Sequence, residues 1–162
     1  MLKLTNLSTA DSDLQRFSDE KDVRSFLSRH QMDGFELLLY EPSDLHVLPH
    51  DKIHGVHLGY FPSWLPLYLG DEERLIAEFG TLADAYAYYG TDTKNGLIEH
   101  FRKQLDIASA LGARYTVFHV AEVSLQETLD YRFHYADEFV IDCAVSLINE
   151  VLRGRNDSFD FL

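Results

Sequence analysis

Two segments of the chain share one layout: a short apolar run that ends in a histidine and then opens into a loop. Residues 53–57 end at His57, and residues 115–119 end at His119. In parallel α/β proteins, ligands bind at the carboxyl ends of the strands. We therefore expect the two imidazoles to lie close together at neighbouring strand ends and to share one divalent metal ion. The alternative for each is a hydrogen-bonded histidine without a metal.

The rest of the chain predicts strands that alternate with helices. The predicted strands are residues 2–7, 35–40, 53–57, 115–119 and 159–162. The predicted helices are residues 20–30, 71–79, part of 82–89, 93–111 and 137–152, with loops over 59–70 and from 120 to about 136. This alternation indicates a parallel sheet in an α/β fold, and no linker divides residues 1–162, so we expect one domain.

Charge and composition exclude some classes of binding partner and indicate a cellular compartment. The net charge is −13, from 27 acidic and 14 basic residues, which argues against nucleic acid and against an anionic membrane surface. The single cysteine, Cys143, suits a reducing compartment. There is no signal-peptide layout and no apolar run of roughly 18 residues, so a cytoplasmic protein is expected.

Side-chain alternation assigns faces to the residues around the two histidines. It turns Val117 and His119 toward the interior, with Thr116 and Phe118 outward against helices. It also turns His54 away from His57, toward the surface or a helix. Glu36 shares a face with Leu38 and Tyr40, where a carboxylate needs a partner.

Other residues are candidates for substrate contact. Tyr60 and Trp64 are suited to an aromatic wall for a sugar ring, or to packing at the mouth of the fold. His134 lies in the loop after the fourth strand, on the expected active side. Glu122, three residues after His119, is within reach of the site, although loop acids usually face water. The expected substrate-binding residues are therefore Glu36, Tyr60, Trp64 and His134.

Three stretches together resemble the xylose isomerase-like TIM barrels, a superfamily of sugar-phosphate isomerases and epimerases that also includes endonuclease IV. They are residues 34–37, residues 56–62 around His57, and residues 111–119, in which a leucine-glycine-alanine turn leads into a strand ending at His119. In the endonuclease-like branch, the histidines matching His57 and His119 ligate metal. The next expected ligand is a glutamate on the fifth strand.

The resemblance implies only part of a barrel. A complete (β/α)₈ barrel has eight strands and about 250 residues, whereas this sequence supplies four to five βα units and stops where residues 158–162 start a fifth strand. We expect a truncated product or a fragment of a longer protein, or else a natural half-barrel that dimerises. Open sheet edges would favour a homodimer.

The function that the resemblance implies is that of a metal-dependent sugar or sugar-phosphate isomerase or epimerase. The chemistry would be proton transfer next to a carbonyl, with zinc, manganese or magnesium polarising the substrate oxygens. No catalytic base can be named within this chain. Two alternatives remain open: an inactive, self-associating half-barrel, and an endonuclease IV-like phosphodiesterase, which the net charge disfavours.

Overall fold

The computed structural model describes residues 1–40 and 45–162, and it is a mixed α/β fold with one five-stranded, entirely parallel sheet. The order in the sheet follows the chain, β1-β2-β3-β4-β5. The strands are β1 (Leu4–Ser8), β2 (Gly34–Leu38), β3 (Ile53–His57), β4 (Tyr115–Val117) and β5 (Asp160–Phe161). The predicted strands and their parallel pairing are thus confirmed, with bounds that shift by up to a few residues.

Helices connect the strands. They are α1 (Asp11–Leu14), α2 (Glu20–Arg29), α3 (Leu65–Leu69), α4 (Glu72–Phe79), α5 (Leu82–Tyr89), α6 (Lys94–Ala110), α7 (Leu125–Asp130) and α8 (Asp137–Leu152), with a 3₁₀ turn at His50–Lys52. The sequence predicted α2, α4, α5, α6 and α8 but left α1, α3 and α7 as loops. Among the described helices, none has the length and apolar content needed to cross a bilayer.

The chain forms two compact units. Unit 1 comprises Met1–Gly59, Gln104–Phe118 and Asn156–Leu162, and it contains the whole sheet. Unit 2 comprises Tyr60–Lys103 and His119–Arg155, which form a helical layer of their own. His57 therefore belongs to unit 1 and His119 to unit 2.

The sheet in unit 1 has one fully buried face and one half-buried face. Phe35, Leu37, Val56 and Thr116 are at most 1% exposed, and Phe35 stacks on Phe26 of α2 with ring centroids 6.4 Å apart. The intervening residues are only half-buried, among them Glu36, His57, Tyr115 and Val117. Burial alternates over residues 116–118 as the prediction requires, but β4 ends at Val117 and His119 lies exposed beyond it, so the interior position of His119 stays a prediction.

His54 departs from the expected alternation. The register between β2 and β3 shifts between Phe35 and Glu36, so that Phe35 pairs with Ile53 but Glu36 pairs with Gly55. His54 is the additional residue, and its ring is buried against the backbone of Gly34, where a Cβ would lie 2.6 Å from His54 Cδ2. Burial lowers the pKa of His54. Of the two positions expected for His54, the surface one is therefore wrong, because His54 is buried where β3 is irregular.

Candidate active site

Three neighbouring strands bring a glutamate, a histidine and a tyrosine together on the half-buried face of the sheet. Glu36 lies in the middle of β2, His57 ends β3 and Tyr115 begins β4. His57 Nε2 is 2.7 Å from Glu36 Oε1, and the Tyr115 hydroxyl donates a hydrogen bond of 2.5 Å to Glu36 Oε2. We call these three residues the Glu36 cluster. The Glu36 carboxylate was expected to need a partner, and the structure supplies two, His57 and Tyr115.

The missing side chain of Gly55 leaves the space that the Tyr115 ring occupies. Glu36 and Tyr115 both pair with Gly55, one from each side. A Cβ at Gly55 would overlap the Tyr115 ring, so the ring crosses β3 only because this residue has no side chain. The phenol can then reach across β3 to the carboxylate on β2.

The Glu36 cluster is partly open to solvent. The side chains of His57 and Glu36 keep 22% and 20% of their surface exposed. Burial, the hydrogen bond to Glu36 and the charge of Glu36 together raise the pKa of Tyr115 to about 12, so the phenol stays a neutral donor near neutral pH. Because a carboxylate accepts hydrogen bonds, we infer that His57 carries its proton on Nε2, which puts the lone pair of the ring on Nδ1.

The donor types in the cluster suit a divalent metal. Imidazole nitrogen and carboxylate oxygen bind zinc at about 2.0–2.2 Å, and His57 and Glu36 would need to separate slightly to bind one ion between them. Among residues 1–40 and 45–162, no group of three or more His, Cys, Asp or Glu side chains is placed to hold a metal. The metal pair of His57 and His119 stays a prediction.

In unit 2, the structure brings two expected site residues together. The exposed rings of His119 and Tyr60 lie 4.8 Å apart between centroids. Burial of the phenol and the charge of Glu122 both raise the pKa of Tyr60. His134 is exposed, and its backbone N–H donates to Glu127 at 2.6 Å. Substrate contact by Tyr60 and His134 stays a prediction.

Trp64 takes the packing role that was its alternative in the sequence. Its side chain is only 2% exposed. The indole meets the Tyr68 ring edge-on at 5.6 Å and donates to the Ala121 carbonyl at 3.2 Å. It therefore offers almost no surface to a sugar ring.

Glu122 turns inward, against the expectation that a loop acid faces water. Its Oε2 accepts from the backbone N–H groups of Trp64 and Leu65 at 2.7 and 2.9 Å, and its Oε1 accepts from Ser63 Oγ at 3.0 Å. Burial raises the pKa of Glu122 to about 7, although these hydrogen bonds act in the opposite direction. The carboxylate anchors the chain where α3 begins.

Tyr115 is the member of the Glu36 cluster that the sequence interpretation missed. One signal was available, because alternation puts Tyr115 on the same face as Val117 and Glu36 was known to need a partner. Comparison with known proteins adds no name to this site: no protein-family model and no curated protein matches the chain. The geometry of the Glu36 cluster is therefore the basis for a functional assignment.

Proposed function

We propose that the chain catalyses proton transfer next to a carbonyl group, as a sugar or sugar-phosphate isomerase or epimerase does, with His57 and Glu36 as the acid–base pair. The observation that carries the proposal is the 2.7 Å contact between His57 Nε2 and Glu36 Oε1, on a partly exposed sheet face. An imidazole oriented by a carboxylate is a common arrangement for general acid–base catalysis at neutral pH.

Each member of the Glu36 cluster has a separate role in this proposal. His57 Nδ1 removes the proton from the carbon beside the carbonyl and returns it to the neighbouring position. Glu36 holds the ring through Nε2 and stabilises the positive charge that forms on it. Tyr115 donates to the other oxygen and keeps the carboxylate turned toward His57. General acid–base catalysis of this kind contributes about 10²–10⁴-fold to a rate.

A divalent metal, whether zinc, manganese or magnesium, belongs to the proposal. His57 and His119 would hold it in place of the base role of His57, because the one lone pair of a neutral imidazole cannot bind a metal and accept a proton at once, and the metal would then polarise the carbonyl of the substrate. The fold proposed for the chain is part of a (β/α) barrel. Five parallel strands in chain order support it, because doubly wound sheets reverse their strand order at a switch point.

Hydrogen–deuterium exchange tests the proposal without knowledge of the exact substrate. The protein is incubated in D₂O with a panel of aldoses, ketoses and their phosphates, with Mn²⁺, Mg²⁺ or Zn²⁺ added, and with EDTA in a parallel series. Proton NMR then reports deuterium at the carbon beside the carbonyl. We expect exchange with at least one member of the panel and loss of exchange in the His57→Asn variant.

A matched control separates chemistry from general damage. Glu20→Gln removes a carboxylate that starts α2 and pairs with the exposed Arg24, and it should leave exchange unchanged. Exchange that persists in His57→Asn, or the absence of exchange from the whole panel under every metal condition, would overturn the proposal.

Self-association is a second proposal, and the sheet edges favour it. Within the described residues, β1 pairs only with β2 and β5 pairs only with β4. Edge strands present unpaired N–H and C=O groups that pair readily with another chain. Light scattering of the purified chain should give at least the mass of a dimer, and a monomer at micromolar concentration would contradict this.

A further inference from the structure

Helix α8 of unit 2 carries two apolar stripes, and only one of them is buried. The buried stripe consists of Ala144, Leu147 and Val151, which are at most 1% exposed. The second stripe is offset from the first by one residue and consists of Ile141, Val145, Ile148 and Leu152. Ile141 and Val145 are 54% and 52% exposed, and the other two side chains are half-buried. We call these four residues the α8 stripe.

The spacing of the α8 stripe is that of a coiled-coil seam. Its members follow one another at intervals of four, three and four residues, so they form one narrow row along the helix. Rows with this spacing pack against a similar row on a second helix, with each side chain inserted between those of the facing helix. Single apolar residues on a surface are ordinary, whereas a continuous row is typical of an interaction surface.

The two ends of α8 carry charges of opposite sign. Asp137 and Glu138 begin the helix, and Arg153 and Arg155 follow its last residue. Glu138 and Arg153 are exposed, whereas Arg155 is half-buried and donates to the backbone carbonyl of Arg102. A helix that is acidic where it begins and basic where it ends is complementary to its own copy when the two run antiparallel. The helix dipoles favour the same orientation.

The remaining charged residues of α8 preserve this pattern. Asp142 lies in the first half of the helix and adds to the negative charge there. Glu150 lies in the last turn, but its carboxylate is 2.8 Å from the ammonium group of Lys94, which offsets its charge.

One two-fold axis satisfies both the apolar and the charge pattern. If the axis passes α8 midway between Val145 and Ile148, Val145 faces Ile148 of the second copy. Ile141 then faces Leu152 of the second copy. The same axis brings Glu138 level with residues 153–155 of the second copy. A two-fold contact uses the same surface on both chains, so each of these contacts is made twice.

We propose that the α8 stripe binds the α8 stripe of a second copy of this chain in an antiparallel pair. This surface lies in unit 2, so the proposal does not rest on the sheet edges or on the Glu36 cluster, which lie in unit 1. One helix pair makes a small interface, and the net charge of −13 on each copy opposes association. We therefore expect a weak dimer, with a Kd on the order of 10–100 µM.

Two aspartate variants test whether the α8 stripe makes the contact. Analytical ultracentrifugation of the full chain from about 5 to 500 µM gives the affinity. Val145→Asp introduces a charge at the centre of the seam and should weaken association at least about 30-fold. Ser146→Asp adds the same charge at an exposed position outside the stripe and should change the affinity by less than about threefold. Pairing through the sheet edges is the same in both variants, and circular dichroism verifies that both fold.

A charge swap tests the antiparallel orientation. Glu138→Arg and Arg153→Glu each place like charges opposite each other, and each should weaken association at least about threefold. The double variant restores opposite charges and should recover an affinity close to that of the wild type. Both substitutions are unfavourable for the dipole of α8, so recovery in the double variant cannot come from a more stable helix. In a parallel pair Glu138 would face Glu138, and the double variant would not recover.

Disulfide formation tests the register. In a background with Cys143→Ser, which removes the only cysteine of the chain, Val145→Cys and Ile148→Cys are prepared as separate proteins. The two are mixed and oxidised, and mass spectrometry identifies the disulfide-linked dimers. The register predicts that the mixed disulfide between the two variants forms faster than the disulfide of either variant with itself.

Four results would overturn the proposal. The first is a wild-type chain that stays monomeric at about 500 µM, which would leave the α8 stripe to a different protein. The second is an equal effect of Val145→Asp and Ser146→Asp. The third is a double charge variant that binds no better than the single variants. The fourth is a mixed disulfide that forms no faster than the others. None of these results bears on deuterium exchange at the Glu36 cluster, so the proposals can fail separately.

Discussion

Glu36 and Glu122 are two partly buried carboxylates, one in each unit, and they differ in what donates to them. Glu36 receives its hydrogen bonds from the side chains of His57 and Tyr115. Glu122 receives its hydrogen bonds from the backbone N–H groups of Trp64 and Leu65 and from a serine hydroxyl. The first carboxylate is linked to an imidazole and a phenol, and the second is linked to backbone amides and an aliphatic hydroxyl.

The difference teaches that a shifted pKa alone does not identify a catalytic acid. A pKa of about 7 would make Glu122 the more obvious general base in the chain. Its oxygens are nevertheless occupied in holding the first turn of α3, and it has no titrating partner among these donors. The Glu36 cluster joins a carboxylate to an imidazole, and this contact favours chemistry there.

Replacing each carboxylate by an amide tests most directly whether Glu36, and not Glu122, takes part in the chemistry. Glu36→Gln should lower the rate of the proposed deuterium exchange by about 100-fold or more, because the amide cannot stabilise the charge on His57. Glu122→Gln should change the rate by less than about threefold. Rates are measured by NMR at saturating substrate. The reverse ranking of the two variants would assign the chemistry to Glu122.

For the free energy of unfolding we expect the opposite ranking, with the larger loss on replacement of Glu122. Glu122→Ala leaves two buried backbone N–H groups without their acceptor, so we expect the free energy of unfolding to fall by about 2–3 kcal/mol. Urea denaturation at a pH near 5.5 measures this. Glu99→Ala serves as the control, since Glu99 is 57% exposed and pairs with Arg102 on its own helix; it should cost less than about 1 kcal/mol. Equal losses in the two variants would mean that Glu122 does not anchor α3.

The pH dependence of the free energy of unfolding tests the raised pKa of Glu122. Its pKa is raised from an ordinary value of 4.5 to about 7 in the folded chain, so the folded state binds the proton more tightly than the unfolded state. The contribution of Glu122 is therefore fully present below pH 4.5 and is lost as the pH rises through about 7, with a total of about 3 kcal/mol. Urea titrations across this range should show the decline.

Glu122→Gln provides the comparison for that titration. The amide does not titrate, so the difference in unfolding free energy between wild type and variant should change between pH 4.5 and 7 in favour of the variant. A difference that stays constant over this range, or that moves in favour of the wild type, would show that the backbone hydrogen bonds outweigh burial at this carboxylate.

The smallest expected effect is the loss of stability when Gly55, which the Tyr115 ring covers, is replaced by alanine. Gly55→Ala should lower the free energy of unfolding by about 1–2 kcal/mol, because its methyl group displaces the Tyr115 ring. In a Tyr115→Ala background, the same substitution should cost less than about 1 kcal/mol. Urea denaturation of the four proteins gives the coupling. Additive costs would mean that the ring does not depend on the glycine.

Much of the fold was predictable because local patterns determine it. The bounds of β3 and α8 are as predicted, since an apolar run and a long amphipathic stretch define them. The missed helix α7 had a local signal, the capping box of Ser124 and Glu127. The missed α3 had a weaker one, Pro66 in its first turn.

The candidate site was only half predictable. Alternation put Glu36 on a partly buried face and required a partner for it, but the choice of Tyr115 depends on the register shift in β3 and on the missing side chain of Gly55. The role of Glu122 depends on donors almost sixty residues earlier in the chain. No local pattern reports such a contact, so a loop acid and an anchoring acid look alike in sequence.

The tautomer of His57 tests the central claim most directly. Long-range ¹⁵N–¹H correlation spectra of the imidazole distinguish a proton on Nε2 from one on Nδ1. In wild type, the account predicts that Nε2 carries the proton and donates to Glu36, with the lone pair on Nδ1. In Glu36→Gln, this preference should weaken, since the amide holds the ring less strongly. A wild-type ring protonated on Nδ1, or a tautomer ratio that Glu36→Gln leaves unchanged, would contradict the account.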